Sequence, residues 1–250
     1  MTTPQIDWVA HRGDPFRFPE NSLAGYHSAI AAGANYIETD IQLTADEAPV
    51  LSHDDGLNRI TGVDISLFDL TYQQLQQFPA CYPERFGKRF KTTRIASLEQ
   101  FVELLCSYPR VTAFIEIKRK SLYHFGRERC LQAVMQRIAP VQSRISIISF
   151  DLQVIADVMH NRTVSGGWVL PQWDGHTRKQ AAALSPDYLF ANIKRIPPGN
   201  TVMWPGSWQW VLYNIDDTAT RDDYLSRGFR FFETNHIAKM LTGNVKDASA

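Results

Sequence analysis

The sequence predicts an α/β protein of the TIM (β/α)8 barrel class. Short apolar runs rich in Val, Ile and aromatics alternate with segments of helical period, the pattern of βα units. Eight such runs occur: Asp7–Ala10, Asn35–Gln42, Val111–Lys118, Arg144–Ser149, Val164–Leu170, Tyr188–Ala191, Trp210–Asn214 and Phe229–Thr234. Eight repeats favour a closed barrel over an open doubly wound sheet, and the glycine fingerprint expected of a dinucleotide-binding sheet is missing.

Helical patterns lie between most of these runs, at Ser22–Ala32, Ser97–Ser107, Arg127–Ile138, Leu152–Met159, Thr177–Leu184 and Thr218–Arg227. One segment breaks the repeat. The stretch Leu57–Ile95, with Pro79, Pro83 and Gly87, is too long for a βα loop. The expectation is one catalytic domain over residues 1–250, with 54–95 a small insertion capping the C-terminal barrel face. A chain of 250 residues suits one such domain.

Lys and Arg number 26 and Asp and Glu number 26, so the formal net charge is zero. That balance argues against a broad nucleic-acid footprint or a polybasic membrane surface. The opening residues MTTPQIDWVAHRGD lack the basic and apolar regions of a secretory signal, and no run of about 20 apolar residues is present. Cys81, Cys106 and Cys130 have no paired spacing, so they read as reduced thiols. The expectation is a soluble, cytoplasmic protein without stable membrane insertion. Its oligomeric state is not specified by these features.

In the second strand, YIETDIQL, side chains two apart share a face, so Glu38 and Asp40 point the same way. The run Pro49–His53 then reads as the return arm of a hairpin. A turn centred between Ala45 and Asp46 would set Glu38 opposite His53 and Asp40 opposite Leu51. Strand one ends in VAHRGD, placing His11 and Arg12 at the C-terminal mouth, where barrel active sites lie. Strand three carries FIEIK, with Glu116 and Lys118 on one face.

Glu38, Asp40 and Glu116 make an all-oxygen set for one hard divalent cation, Mg²⁺ or Ca²⁺. Arg12 and Lys118 suit an anionic phosphate oxygen, and His11 and His53 suit acid and base work near neutral pH. This combination points to phosphate-ester cleavage. The bland alternative for the acids and bases is a structural ion-pair network. His27, His124, His160, His176 and His236 read as structural. Asn21 reads as a helix N-cap, with a role in orienting catalytic groups as the alternative, and Asp151 as strand end plus N-cap. Tyr82, Phe86 and Phe90 read as the insertion's own small core, with the lining of a substrate pocket as the alternative. Trp204, Trp208 and Trp210 read as core or rim packing, with a choline-like cation as the alternative partner.

The chain resembles the glycerophosphodiester phosphodiesterase family. The resemblance rests on HRGDPFRFPENS at His11–Ser22, IETDIQLTADEAPVLSHDDGLNRITG at Ile37–Gly62, FIEIK at Phe114–Lys118, SFD at Ser149–Asp151 and GFRFFETN at Gly228–Asn235. It implies a metal-dependent hydrolase on a TIM barrel that converts small glycerophosphodiesters to glycerol 3-phosphate and an alcohol. On that resemblance His11 and His53 form the acid/base pair, Glu38, Asp40 and Glu116 bind the metal, and Arg12 and Lys118 bind phosphate. The resemblance also implies that Leu57–Ile95 caps the site. Asp46-Glu47 stands where the family often has Asp-Gly, and Val211-Leu212-Tyr213-Asn214 where it commonly has Trp-Thr-Val-Asn. Two other readings stay open: a lysophospholipase D or sphingomyelinase D-like phosphodiesterase, and a non-catalytic glycerophosphodiester-binding protein.

Overall fold

The computed structural model describes residues 6–199 and 203–242. Nine strands are present among them: β1 Asp7–Ala10, β2 Tyr36–Leu43, β3 Pro49–Leu51, β4 Thr112–Ile117, β5 Ile145–Ser149, β6 Ser165–Val169, β7 Tyr188–Asn192, β8 Gln209–Tyr213 and β9 Phe231–Thr234. Eight are parallel and close on themselves in the order β1-β9-β8-β7-β6-β5-β4-β2, with the β1–β2 pairing sealing the ring. The fold is therefore the expected (β/α)8 barrel. β3 is the extra strand and returns antiparallel along β2.

The barrel interior is filled from alternate positions, as the two-residue period of a strand requires. Val9, Phe114, Ile148, Val169, Phe190, Val211 and Phe231 form one buried cluster, with Tyr36 and Tyr188 packed against it. Above this apolar plug, the next inward positions toward the strand C-termini are polar: Glu38 and Asp40 on β2, Glu116 on β4, Asn192 on β7, Tyr213 on β8 and Glu233 on β9. The apolar layers give the polar layer a rigid floor.

A second core lies between the strands and the surrounding helices. These are α1 Leu23–Ala31, α5 Leu98–Ser107, α6 Arg119–Phe125, α7 Arg127–Ile138, α8 Leu152–Asn161, α9 Gly175–Leu184, α10 Thr218–Ser226 and α11 Ile237–Thr242. α5 shows why the sequence folds this way. Ser97 and Gln100 form a capping box at its start, and Leu98, Phe101, Val102, Leu104 and Leu105 bury one face. Each such large side chain contributes roughly 1.5–3 kcal/mol when fully buried. Asp151 caps α8 by accepting from the Val154 N–H, as the sequence suggests. Trp173, Trp204 and Trp210 stack with centroids 4.6–5.7 Å apart, and Trp204 and Trp208 are buried in this outer core.

The segment after β3 carries three one-turn helices, α2 Asn58–Thr61, α3 Tyr72–Leu75 and α4 Pro83–Phe86. It builds its own apolar cluster from Leu57, Ile60, Leu67, Leu70, Leu75, Ala80 and Ile95 around Val50. Tyr82, Phe86 and Phe90 stack edge to face within this segment, and Phe90 also meets Phe18 of the β1–α1 loop at 5.6 Å. No helix among the described residues is long and apolar enough to cross a membrane.

Candidate active site

The inward period of β2 and its neighbour β4 places three carboxylates side by side. Asp40 and Glu116 are register partners, and Glu38 lies one inward position below Asp40. One oxygen from each of Glu38, Asp40 and Glu116 can be chosen so that all lie within 4.8 Å of one another. Asp40 is the charged anchor. Burial opposes its charge, but Arg12, Lys118 and the two histidines overcome this and hold it well below the usual carboxylate range. Glu38 behaves oppositely, raised well above its ordinary value by burial and by Asp40 and Glu233. Glu116 is raised too, chiefly by burial, with Lys118 opposing and Asp40 adding.

Two cations face this cluster. The Lys118 Nζ lies 2.9 Å from Glu116 and 3.1 Å from Asp40. Arg12 adopts φ 53°, a left-handed conformation uncommon outside glycine, and so points its backbone N–H at Glu38 Oε2, 3.1 Å away. Gly13 follows at φ 86°, where a Cβ would stand 2.9 Å from the Gly25 backbone, so only glycine lets this loop press on α1. The Arg12 Nε sits 2.9 Å from Asp40 Oδ2, yet it is buried without an acceptor in hydrogen-bonding geometry. A buried donor is thus available to an anionic oxygen.

Asn21 is not the N-cap of α1; Ser22 is, accepting from the Gly25 N–H. Asn21 instead takes φ 55° and turns inward. Its Nδ2 donates to Asp40 Oδ2 at 3.0 Å, while its Oδ1 accepts from Tyr26 Oη, Thr39 Oγ1 and the Asp40 N–H. A buried amide with both ends satisfied fixes the Asp40 carboxylate.

The hairpin register differs by one from the sequence expectation. Ile41 faces Leu51 and Leu43 faces Pro49, so Asp40, not Glu38, comes level with the Ser52–His53 end. The cause is a three-residue loop. Thr44 pairs with Ala48, and Glu47 takes φ 57°, the left-handed position that such loops need and that glycine usually fills. By strand parity this slip would turn His53 away from the barrel. The strand ends at Leu51, however, and the chain bends at His53, whose carbonyl accepts from Gln42 Nε2. His53 therefore still lines the cavity.

Each histidine is held through Nδ1 by a different network. His53 Nδ1 lies 2.7 Å from Asp54 Oδ1. Arg59 of α2 donates Nε to Asp54 Oδ2 at 2.7 Å and both terminal nitrogens to Glu20 at 2.7 and 2.9 Å. Glu20 in turn accepts from Arg12. The His53 hydrogen bond and then Arg59 hold Asp54 well below its ordinary pKa against burial, and Arg59 and Arg12 hold Glu20 below its own despite burial. On the other side, His11 Nδ1 lies 2.8 Å from Asn235 Oδ1. The Asn235 Nδ2 and backbone N–H both donate to Asp216, which assigns the amide oxygen toward His11 and makes His11 Nδ1 the donor. The His11 Nε2 then faces Glu233 at 3.4 Å and Glu38 at 4.0 Å. Burial, then Arg12, press His11 down to about 4.

All seven residues singled out in the sequence reach one site. His11, Arg12, Glu38, His53, Glu116 and Lys118 line a cavity of about 250 Å³ at the C-terminal mouth, and Asp40 lies beneath them. The donor set is carboxylate oxygen, and burial, with mutual repulsion adding to it, pushes Glu38 and Glu116 toward protonation, so these residues fit a hard divalent cation.

A model of the glycerophosphoryl diester phosphodiesterase family matches residues 11–196. The chain belongs to this family. The glycerophosphodiester phosphodiesterase of Caldanaerobacter subterraneus is 32% identical over 189 residues, covering 72% of this chain and 75% of that protein. Rat glycerophosphodiester phosphodiesterase 1 is 36% identical over 115 residues, 46% of this chain, and the match spans only 34% of the rat protein. A human lysophospholipase D is 32% identical over 114 residues, 44% of this chain and 35% of that protein. Among solved structures, an Oleispira antarctica phosphodiesterase in complex with the product sn-glycerol-3-phosphate superposes with a TM-score of 0.80 at 20% identity, covering 95% of each chain. Glycerophosphodiester phosphodiesterase of Thermotoga maritima gives a TM-score of 0.72 at 18% identity, over 97% of this chain and 100% of that one.

In this glycerophosphoryl diester phosphodiesterase family member the β9 end lies outside the matched span, and there the site holds an acid that sequence reasoning missed. Glu233 is buried and raised to about 8 by burial, with Arg12 opposing and Glu116 and Asp40 adding. With His11 and Glu38 it forms a second group able to hold a metal. The alternation of Phe231 and Glu233 was a readable signal, the same one that exposed Glu38 and Asp40. Asp216, Asn235 and Arg59 carried no such signal, because their partners are distant in sequence or lie off the strands.

Proposed function

We propose that the chain hydrolyses glycerophosphodiesters to glycerol 3-phosphate and an alcohol, using one divalent cation, Mg²⁺ or Ca²⁺, and His11 and His53 as its acid/base pair. The observation that carries this reading is the convergence of Glu38, Asp40 and Glu116 on one point, with Arg12 and Lys118 beside them and both histidines in the same cavity. The family membership and the curated relatives supply the substrate class.

Glu38, Asp40 and Glu116 would hold the cation, which when bound neutralises charge on a phosphate oxygen and acidifies a bound hydroxyl. Arg12 and Lys118 hold the phosphodiester and stabilise charge that builds on it. With Nδ1 donating to the neutral Asn235, His11 presents a lone pair on Nε2 and takes the proton of the attacking water; if the substrate's own 2-hydroxyl attacks instead, water opens the resulting cyclic phosphate in a second step. His53 is held at Nδ1 by the Asp54 carboxylate and lines the same cavity, so it gives a proton to the alcohol oxygen as the P–O bond breaks. Asn21 and Arg59 keep Asp40 and Asp54 in place.

We assign residues 54–95 as a cap on this face, delivering Arg59 to the His53 side, and place the enzyme in the cytoplasm. A lipid-cleaving activity, suggested by the human lysophospholipase D relative, would need an apolar entrance. The exposed large hydrophobics among the described residues, Phe16, Val63 and Tyr123, do not line the cavity. Product analysis tests the proposal: glycerol 3-phosphate and free alcohol from glycerophosphoethanolamine support it, while phosphoethanolamine and glycerol contradict it. Tight binding of the diester with no product of either kind would mark a binding protein.

A further inference from the structure

We propose that the cavity wall at the end of β7, together with the rim at the start of α6, selects a head group that carries an anion of its own, through Arg195 and Arg119. The inference rests on the phosphodiesterase reading and concerns the part of the substrate beyond the phosphate.

The acids, Arg12, Lys118 and the histidines occupy the β1, β2 and β4 side of the cavity, which anchors the phosphate there. An ester arm running across the mouth meets the wall at the ends of β5, β7 and β8, where Phe150, Asn192, Arg195 and Tyr213 stand. Asn192 accepts from the Lys194 N–H and so fixes the turn after β7 that delivers Arg195. Arg195 is tethered by one terminal nitrogen to the Leu170 carbonyl at 2.9 Å, and its guanidinium lies 5.7 Å from the Phe150 ring centroid. Arg119, the exposed first residue of α6, approaches the same ring to 5.2 Å from the rim beside the cavity.

Neither guanidinium has a carboxylate within 4.0 Å among the described residues, unlike Arg12, Arg17 and Arg59, which are all paired. Two uncompensated guanidiniums over one ring set a local positive potential in a chain whose formal net charge is zero. Their planar forks suit a carboxylate or a second phosphate.

A quaternary ammonium head group is disfavoured there. Phe150 already carries two cations, and the tryptophan cluster that could have caged such a group packs away from the cavity in the outer core. Glu233 is a buried acid in the same cavity, but it faces His11 on the β9 side.

The test compares kcat/KM for glycerophosphoserine and bis(glycerophospho)glycerol with that for glycerophosphoglycerol, glycerophosphoethanolamine and glycerophosphocholine, in the wild type and an Arg119→Gln/Arg195→Gln variant. A preference for the anionic head groups of about tenfold or more is expected, carried in KM and shrinking as KCl rises. The double variant should lower kcat/KM for the anionic substrates about tenfold more than for glycerophosphoglycerol. Glycerophosphoserine ahead of bis(glycerophospho)glycerol would identify a carboxylate as the partner, and the reverse order a phosphate. Equal rates across the head groups, or equal losses in the variant, would overturn the inference. Absence of cleavage of every diester would count against the phosphodiesterase reading instead. Calorimetric affinities for the same five diesters would then decide the head-group inference, the anionic ranking supporting it and equal affinities refuting it.

Discussion

Replacing Arg59 with Ala removes one residue but unties both ends of a chain of charge that runs from Arg12 through Glu20 to Asp54 and His53. Two of its three hydrogen bonds go to Glu20, whose side chain is only 10% exposed. Hydrogen bonds to charged groups are worth about 1.5–3 kcal/mol each, but Arg12 still neutralises Glu20, so one such bond is the net loss there. The Asp54 end is a third exposed and contributes about 0.5–1 kcal/mol. The expected stability loss is therefore about 2–4 kcal/mol.

The pH dependence has a definite sign. Asp54 and Glu20 have folded pKa values below their ordinary ones, so their contribution is present above about pH 4.5 and is lost as pH falls toward the folded values. Urea denaturation of the variant should show a flatter acid limb than the wild type. In the kinetics, a loosened Asp54 lets His53 wander, lowering kcat by roughly 10–100-fold with a smaller change in KM. Arg59→Lys keeps a charge but not the fork, and restores less than half of the loss on a logarithmic scale. Wild-type kcat together with wild-type stability in Arg59→Ala would show that Arg59 supports neither Glu20 nor the Asp54–His53 pair.

Asn21→Ala strands three buried donors and frees Asp40, and should cost about 2–3 kcal/mol in urea denaturation while also weakening cation affinity measured by calorimetry. His11→Ala and His53→Ala should each lower kcat by about 10²–10⁴-fold with unchanged circular dichroism, and a near-normal rate in either would remove that histidine from the scheme. Cys130 is buried and pushed up to about 12 by burial, then by Glu47, so its thiolate fraction at pH 8 is about 10⁻⁴. Iodoacetamide should therefore label the exposed Cys106 in the native protein and reach Cys130 only after unfolding, which peptide mass mapping would show.

The barrel was legible because each strand pairs with its sequence neighbours and buries both faces, leaving an apolar run as its trace. The candidate site was legible where acids interrupt that run at two-residue spacing, as at Glu38, Asp40 and Glu116. The hairpin register was not, since it depended on Glu47 accepting a left-handed backbone that its residue type disfavours. Asn21 misled for a related reason: it precedes a helix in the cap-like pattern PENS, but its own left-handed φ hands the cap to Ser22 and turns the amide toward Asp40. The links from Asn235 to His11 and from Arg59 to Glu20 join residues far apart in the chain, and no local period encodes such pairs.

We propose that the three inward carboxylates serve a cation on which hydrolysis depends. The most direct test of this dependence is the rate of glycerol 3-phosphate release from glycerophosphoglycerol by chelator-stripped protein, before and after adding Mg²⁺ or Ca²⁺, for the wild type and Asp40→Asn. Release that is absent without the cation, returns with it in the wild type and fails to return in Asp40→Asn is the predicted result. Full release by the stripped wild type, or full recovery by Asp40→Asn, would contradict the account.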